Sequence, residues 1–242
     1  MSNIRYETVI HEFDPYFQFK STIKLMEDGD EEFSDWMDDM TWYPLSRYML
    51  PTMYPGLMYT ARFFIQVCNF IKMPISTLQA CAYMGPVMSI VGAFFSYDFG
   101  KMVDESEQTQ VLTGIISALL FSIIPGFIQR SVAGSYDNES NSITAMVAGF
   151  DLWLRTCGCA YKGTKKPPVS GTMPIIASLA LFYMGISWGG FVFIICLVPL
   201  HVFVCMISKS MNNRIKVAYL IWMPVSYLLL NMVWREYGFV FK

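Results

Sequence analysis

The longest charge-free stretch of this chain runs from residue 167 to residue 208, and it restricts the possible fold more than any other feature. A helix needs about 20 apolar residues to cross about 30 Å of hydrocarbon. The 42 residues of this stretch therefore predict two membrane spans, joined by a tight turn at Ser187-Trp188-Gly189-Gly190. A soluble domain would place charges within so long a segment, because its surface has to be polar.

Further charge-poor runs predict four more spans. They are residues 73–97, 108–129, 141–157 and 217–234. The whole chain is 54% hydrophobic and only 15% charged, with a mean hydropathy of +0.40, which is typical of membrane proteins. We therefore expect an all-α membrane protein, a polytopic helical bundle of about six spans.

The first part of the chain is different, because residues 1–50 carry 11 of the 19 acidic residues and only four basic ones. Residues 54–71 are apolar, but Arg62 and Gln66 fall on one helical face, which favours a helix lying in the membrane interface. We expect residues 1–72 to form an amphipathic head and residues 73–242 to form the transmembrane bundle. The N-terminus lacks the pattern of a cleaved secretory signal.

Two pairs of acidic residues stand out: Glu12 and Asp14 in the head, and Asp137 and Glu139 in a loop between predicted spans. Residues two apart project to the same face of an extended backbone, so each pair would offer two carboxylates to one point. Two such loops would suit a hard divalent cation, Mg²⁺ or Mn²⁺ rather than zinc. The alternative is that both pairs are solvated surface charge.

The basic residues orient the bundle. The loops at 98–107, 155–166 and 209–216 hold eight Lys and Arg, whereas the opposite loops and C-terminal tail hold three. The positive-inside rule then makes the first set cytoplasmic and places both acidic motifs together on the lumenal or exterior side. A net charge of −2, with no basic cluster beyond Lys162, Lys165 and Lys166, indicates no nucleic-acid partner.

Several residues in the spans have a structural interpretation. Asp151 lies one helical turn from Arg155, so we expect an ion pair. We expect His201 to be packed and hydrogen-bonded. The sequon Asn138-Glu139-Ser140 overlaps the second acidic motif, so we expect it to be unoccupied. The cysteines show no zinc-site spacing and are interpreted as packing residues: Cys68, Cys81, Cys157, Cys159, Cys196 and Cys205.

Six short runs, taken together and in order, resemble the catalytic subunit family of eukaryotic oligosaccharyltransferase. The match extends through most of residues 6 to 208. The runs are His11-Glu12-Phe13-Asp14-Pro15-Tyr16-Phe17, Trp42-Tyr43-Pro44-Leu45, Tyr54-Pro55-Gly56-Leu57-Met58, Ile124-Pro125-Gly126-Phe127-Ile128, Arg130-Ser131-Val132-Ala133-Gly134-Ser135-Tyr136-Asp137-Asn138-Glu139 and Ser187-Trp188-Gly189-Gly190. Several motifs in order are more specific than any single one.

The resemblance implies a membrane enzyme of the C-type glycosyltransferase class in the endoplasmic reticulum, with both acidic motifs lumenal. Such enzymes transfer an oligosaccharide from dolichyl diphosphate to the Asn amide of N-x-S/T sequons. By resemblance, Asp14, Asp137 and Glu139 would bind Mn²⁺ or Mg²⁺, Asp14 would also contact the acceptor amide, and Glu12 would stand beside this catalytic group. Trp188 would line the donor path, although an interfacial Trp is commonly a membrane anchor. Implied partners are the lipid-linked donor, sequon-bearing polypeptides, other oligosaccharyltransferase subunits and membrane lipid.

The chain also departs from the family pattern. Lys20 and Met40 stand where arginines are expected, and Ser46 stands where a glycine is expected. Family members begin with an earlier span and continue into a lumenal domain with a W-W-D-Y-G motif, which does not occur here. Three interpretations stay open: a truncated or split enzyme subunit, a non-catalytic relative that binds the lipid-linked donor or other subunits, and an ion pathway with acidic rings.

Overall fold

The computed structural model describes residues 8–103, 106, 108–158 and 171–237, and these form a helical protein with one short hairpin. The helices are α1 (Phe13–Ser34), α2 (Gly56–Phe70), α3 (Thr77–Val103), α4 (Gln110–Ile123), α5 (Pro125–Ser131), α6 (Asn138–Cys157), α7 (Thr172–Ser187), α8 (Val192–Ile207) and α9 (Asn213–Tyr237). The strands β1 (Met37–Asp38) and β2 (Arg47–Tyr48) pair antiparallel, and 3₁₀ turns occur at Leu50–Thr52 and Gly189–Phe191.

Within the described residues each predicted span is largely helical, which confirms the polytopic bundle. In the part of the chain that the structure describes, three helical segments could cross a membrane by length and composition. They are Thr77–Val103, Gly189–Ile207 and Asn213–Val233, with mean hydropathies of 1.4, 2.7 and 1.4. The bent pair α4 and α5 makes a fourth if it counts as one span. Helix α7 is apolar but has only 16 residues. The number of spans established by this measure is thus smaller than the six expected.

The predicted span at 108–129 is not one straight helix. It breaks at Ile124, and α4 and α5 meet at an angle of 63°. Pro125 explains the break, because proline lacks the N–H of a helix interior and pushes the preceding residue into extended backbone. Ile124 has ψ of 121°, as that restriction requires.

Helix α2 confirms the amphipathic helix that we expected near residues 54–71. Its buried face carries Leu57, Ala61 and Ile65, at the spacing of successive helical turns. Arg62 lies on the other side and pairs with Asp30 of α1 at 2.7 Å. The interfacial position of α2 stays a prediction.

Two hydrophobic clusters hold the fold together. One lies within the bundle around Trp153 and Trp222. The other joins Leu25 of α1, Leu57 of α2 and Met84 of α3 to Tyr136, which immediately precedes the second acidic motif. This second cluster crosses the predicted domain boundary at residue 72. It therefore packs the head against the part of the bundle that carries the second motif.

The loops expected in the cytoplasm are shorter than predicted. Helix α3 continues to Val103, into the predicted loop at 98–107, and α9 begins at Asn213. Lys162, Lys165, Lys166 and Cys159 lie outside the described residues. The turn at Ser187-Trp188-Gly189-Gly190 is confirmed between α7 and α8.

Candidate functional site

The second acidic motif begins helix α6. Asp137 is the N-cap, with extended backbone (φ −124°, ψ 152°), and its Oδ1 accepts a hydrogen bond of 2.7 Å from the Asn138 amide. Glu139 lies in the first helical turn. The free N–H groups and the positive end of the helix macrodipole stabilise carboxylates at both positions. Only 9% of Asp137 is exposed, so this carboxylate is fixed by the fold.

The first motif occupies the same positions on another helix. Glu12 is the N-cap of α1 and Asp14 lies in its first turn, with Pro15 tolerated there because first-turn amides have no intrahelical partner. The extended backbone that we predicted for both pairs is wrong, since each pair instead straddles a helix start. The N-cap at Glu12 has an unusual φ of 71° and makes no side-chain capping bond. Asp14 is exposed.

A direct backbone contact holds the two motifs together. The His11 amide donates a hydrogen bond of 2.9 Å to the Gly134 carbonyl, and the Gly134 amide donates one of 2.8 Å to the Ala82 carbonyl. Gly134 has φ of +96°, and a Cβ there would lie 2.5 Å from the Val9 carbonyl oxygen. Only glycine fits this close approach, so the position of the first motif depends on Gly134.

Arg130 lies among the carboxylates. The Nε of Arg130 is 2.9 Å from Oε2 of Glu139, while its Nη1 is 3.5 Å from Oδ2 of Asp137 and 3.8 Å from Oε2 of Glu12. The Gln18 side chain adds a hydrogen bond from Nε2 to Asp137 Oδ1, at 3.0 Å. Neither Arg130 nor Gln18 was expected in the site from the sequence, although Arg130 opens the run that contains the second motif.

The two motifs border one cavity of about 620 Å³. Asp14, Asp137, Glu139 and Trp188 all line it, so the structure brings together four of the five predicted site residues. Glu12 does not line this cavity. It borders a neighbouring hollow of about 440 Å³ together with Arg130, which lines both.

Burial raises the pKa of Glu139 above its usual value, and the nearby charge of Asp137 adds to this effect, while Arg130 acts in the opposite direction. A divalent cation would be a strong counter-ion here. Three acceptor atoms around the cavity are buried without a hydrogen-bond partner, namely Gln18 Oε1, Asn138 Oδ1 and Glu139 Oε2, the last of which has only the Arg130 ion pair. An oxygen-only set of this kind fits a hard cation. Among the described residues, however, no three acidic, His or Cys side chains converge on one ion position.

Trp188 and Arg47 form other parts of the cavity wall. Trp188 is extended after the end of α7, and a Cβ on Gly190 would collide with its ring, so glycine is required beneath it. Arg47 lies over the Phe17 and Trp42 rings, 5.7 and 4.9 Å from their centroids. In the described part of the chain, Arg47 has no acidic partner within ion-pair distance. Arg47 was not expected in the site from the sequence, and its position after the Trp-Tyr-Pro-Leu run was the available signal.

Comparison with known proteins identifies the family. The chain matches the family description "Oligosaccharyl transferase STT3, N-terminal" over residues 2–240. The chain belongs to the STT3 oligosaccharyl transferase family. The glycosyltransferase subunit STT3 of Dictyostelium discoideum is 38% identical over 90% of this chain, and that of Saccharomyces cerevisiae is 37% identical over 92%. The chain spans 29% of the length of each of these two relatives.

Solved archaeal structures share the fold. The oligosaccharyltransferase of Archaeoglobus fulgidus in complex with Zn and sulfate superposes with a TM-score of 0.73 at 17% identity, over 98% of this chain and 30% of that one. The same protein in complex with an inhibitory peptide and a dolichol-phosphate gives a TM-score of 0.66 at 16% identity, over 98% of this chain and 31% of that one. The match supports the predicted class of helical bundle.

The departures from the STT3 pattern have local structural partners. Lys20 pairs with Asp38, which also accepts hydrogen bonds from the Met40 amide at 3.1 Å and from Thr41 Oγ1 at 2.7 Å. Asp38 thus fixes the segment that carries Thr41 to the cavity wall. Ser46 has φ of 60°, a conformation that glycine adopts with less strain.

The structural interpretations within the spans are supported. Asp151 is 1% exposed and pairs with Arg155 at 2.7 Å, and Arg155 also reaches Asp98 at 2.7 Å. His201 accepts a hydrogen bond of 3.2 Å from the Trp153 indole, as expected of a packed residue. The sequon at residue 138 lies at the helix start, beside the buried Ser140. The described cysteines are all buried except Cys196, which is exposed.

Proposed function

We propose that this chain supplies the diphosphate-facing half of an oligosaccharyltransferase active site. The whole protein would transfer an oligosaccharide from dolichyl diphosphate to the Asn side-chain amide of N-x-S/T sequons. One observation carries the proposal: two acidic motifs, far apart in the sequence of an STT3-family chain, border a single cavity. Since the chain spans 29% of the first relatives' length, the remaining groups of the site would come from the rest of such a protein.

In this proposal Asp14, Asp137 and Glu139 hold Mn²⁺ or Mg²⁺. When bound, the cation supplies Lewis-acid stabilisation of the charge that develops on the departing diphosphate. The two buried or half-buried carboxylates at the start of α6 provide a fixed side of the site. Asp14 is exposed to the cavity and therefore remains accessible to the acceptor amide.

The other cavity walls fit an anionic, glycosylated donor. Arg47 offers a guanidinium that no carboxylate in the described part of the chain neutralises, and such a group binds phosphate oxygens well. We assign it to the donor diphosphate. Trp188 offers an aromatic face on which a sugar can pack, and we assign it to the donor path.

The proposed setting is the endoplasmic reticulum membrane, with residues 1–72 as a lumenal head that includes interfacial helices and residues 73–242 as the transmembrane bundle. Both acidic motifs would face the lumen. Their common cavity supports placing both motifs on one side of the membrane, and the distribution of Lys and Arg favours the lumenal side. Other oligosaccharyltransferase subunits and membrane lipid would contact the apolar surface.

A chimera tests the proposal. This chain would replace the matching part of the Saccharomyces cerevisiae STT3 subunit, and transfer to a sequon peptide would be measured with a dolichyl diphosphate donor. We expect transfer, and we expect Asp14→Ala to abolish it. Glu32→Gln is the matched control, because Glu32 is an exposed acid of the same helix outside the cavity.

The second candidate is a non-catalytic relative that binds the lipid-linked donor, which the changes at Lys20 and Met40 favour. This candidate would be supported, and catalysis rejected, by a chimera that binds the donor but gives no transfer. The Glu32→Gln control should then give the same result as the unmutated chimera. If the chimera still transfers oligosaccharide with Asp14→Ala, the enzymatic activity stands, but the site assigned to Asp14 is wrong.

A further inference from the structure

Arg130 contacts three of the four carboxylates of the two motifs. Its guanidinium lies 2.9 Å from Glu139, 3.5 Å from Asp137 and 3.8 Å from Glu12, with each distance measured between side-chain nitrogen and oxygen. These carboxylates belong to the two helix starts that the cavity brings together. One internal cation thus lies where the carboxylates meet and offsets one of their negative charges.

This position conflicts with a bound divalent ion. A divalent cation needs carboxylate oxygens at about 2.0 to 2.6 Å. Bound to the oxygens that Arg130 contacts, it would lie close to the guanidinium, and the two positive charges would repel strongly. Oε2 of Glu139 is buried and has Arg130 as its neighbouring charge. The lack of a convergent acidic trio among the described residues is consistent with carboxylates that are arranged around the guanidinium.

The surroundings of Arg130 leave space for its side chain to move. Its side chain is 41% exposed and lines both the main cavity, together with Asp137 and Glu139, and the hollow of about 440 Å³ that Glu12 lines. Rotation of the Arg130 side chain toward the hollow that Glu12 lines would release Asp137 and Glu139 while keeping the contact with Glu12. Glu12 itself does not line the main cavity.

We propose that Arg130 is an internal counter-ion that competes with the divalent cation, and that Glu12 is the residue that holds Arg130 aside when the cation binds. Glu12 is then a positioning residue rather than a metal ligand. The inference rests on the proposed metal site at Asp14, Asp137 and Glu139. It adds a metal-free form in which Arg130 reduces the repulsion between the two acidic motifs.

The test measures Mn²⁺ affinity directly, through the electron paramagnetic resonance signal of free Mn²⁺ titrated against the full chain in nanodiscs. We expect Arg130→Met to bind Mn²⁺ about tenfold more tightly than the wild type, a change of about 1.4 kcal/mol. Arg62→Met is the matched control, because it removes an equal charge from the head, outside the cavity lining, and should leave the affinity unchanged.

A double-mutant cycle tests the role of Glu12. Glu12→Gln should weaken Mn²⁺ binding in the wild type, since Arg130 then stays on the other carboxylates, and should have little effect in the Arg130→Met background. An equal loss in both backgrounds would show that Glu12 acts on the ion itself and would overturn its assigned role.

Other outcomes separate the two proposals. If Asp137→Asn abolishes Mn²⁺ binding while Arg130→Met leaves it unchanged or weaker, the metal site stands and the competition is wrong. If neither the wild type nor Arg130→Met binds Mn²⁺, both are wrong. Should Arg130→Met fail to fold, Arg130→Lys replaces it, because a point charge cannot span the same carboxylates and should give a smaller gain in affinity. No gain in that variant would overturn the competition.

Discussion

The two acidic motifs occupy equivalent positions at the starts of α1 and α6, yet their surroundings differ. Asp137 is buried, caps its helix and is bound by Gln18 and Arg130. Asp14 is exposed, and the N-cap before it, Glu12, has a left-handed backbone without a capping bond. The second motif is therefore a rigid part of the fold. The first motif is exposed, and its position depends on the hydrogen bond between the His11 amide and the Gly134 carbonyl.

Gly134→Ala should have the largest effect on stability, because it disrupts the backbone contact that joins the two motifs. The new methyl group would collide with the Val9 carbonyl at a backbone φ of +96°. We expect a loss of about 3 kcal/mol or more in the free energy of unfolding, since unfavourable backbone alone costs about 1–3 kcal/mol. Denaturant unfolding followed by tryptophan fluorescence measures it.

The control for this variant is Gly126→Ala in α5, where a Cβ would meet nothing within 4 Å. It should leave the stability unchanged or slightly higher, because alanine favours helix. Equal losses in both variants would mean that the close approach at Gly134 is not what joins the motifs.

Truncation of each motif should come next in size. Asp137→Ala removes a helix cap and leaves the buried Gln18 amide unpaired, so we expect a loss of about 2 kcal/mol. Asp14→Ala should change stability by less than about 0.5 kcal/mol, as is usual for exposed sites. Thermal unfolding of both variants in one detergent gives the comparison. Equal effects would remove the distinction between a rigid and an open motif.

The last expected effect concerns pH and Asp38, which holds the segment that carries Thr41. Burial by itself would raise the pKa of Asp38, but hydrogen bonds from Lys20, Thr41 and the Met40 amide bring that pKa below its usual value of 3.8. A carboxyl group whose pKa is lower in the folded state than in the unfolded state stabilises the fold when the pH is above its unfolded-state pKa. This contribution is lost as the pH falls through the folded-state pKa. We expect the wild type to lose stability through this group on acidification from about pH 6 to about pH 3, because the unfolded chain takes up the proton at a higher pH than the folded one.

Asp38→Asn is the comparison variant, and its stability should depend less on pH over the same interval. Thermal unfolding at both pH values provides the measurement. A wild type and variant with parallel pH profiles would show that Asp38 does not contribute, and that the segment carrying Thr41 is held in another way.

The sequence by itself determined the class of fold and the candidate residues. Charge-free runs leave a chain few choices other than membrane helices, because unpaired backbone groups are too costly in hydrocarbon. The order of short motifs such as Arg130-Ser131-Val132-Ala133-Gly134-Ser135-Tyr136-Asp137-Asn138-Glu139 carried the family assignment, which the comparisons confirm. The pairing of Asp151 with Arg155 followed from helical spacing alone.

Only the tertiary structure decided how the motifs meet. Local spacing predicted extended pairs, whereas each pair begins a helix, because the residues that follow are helical over long segments. The contact of His11 with Gly134 and the position of Arg130 between the motifs join residues more than 100 positions apart in sequence. Such contacts depend on the packing of α1 and α2 against α3 around Leu25, Leu57 and Met84, and no local pattern in the sequence encodes that packing.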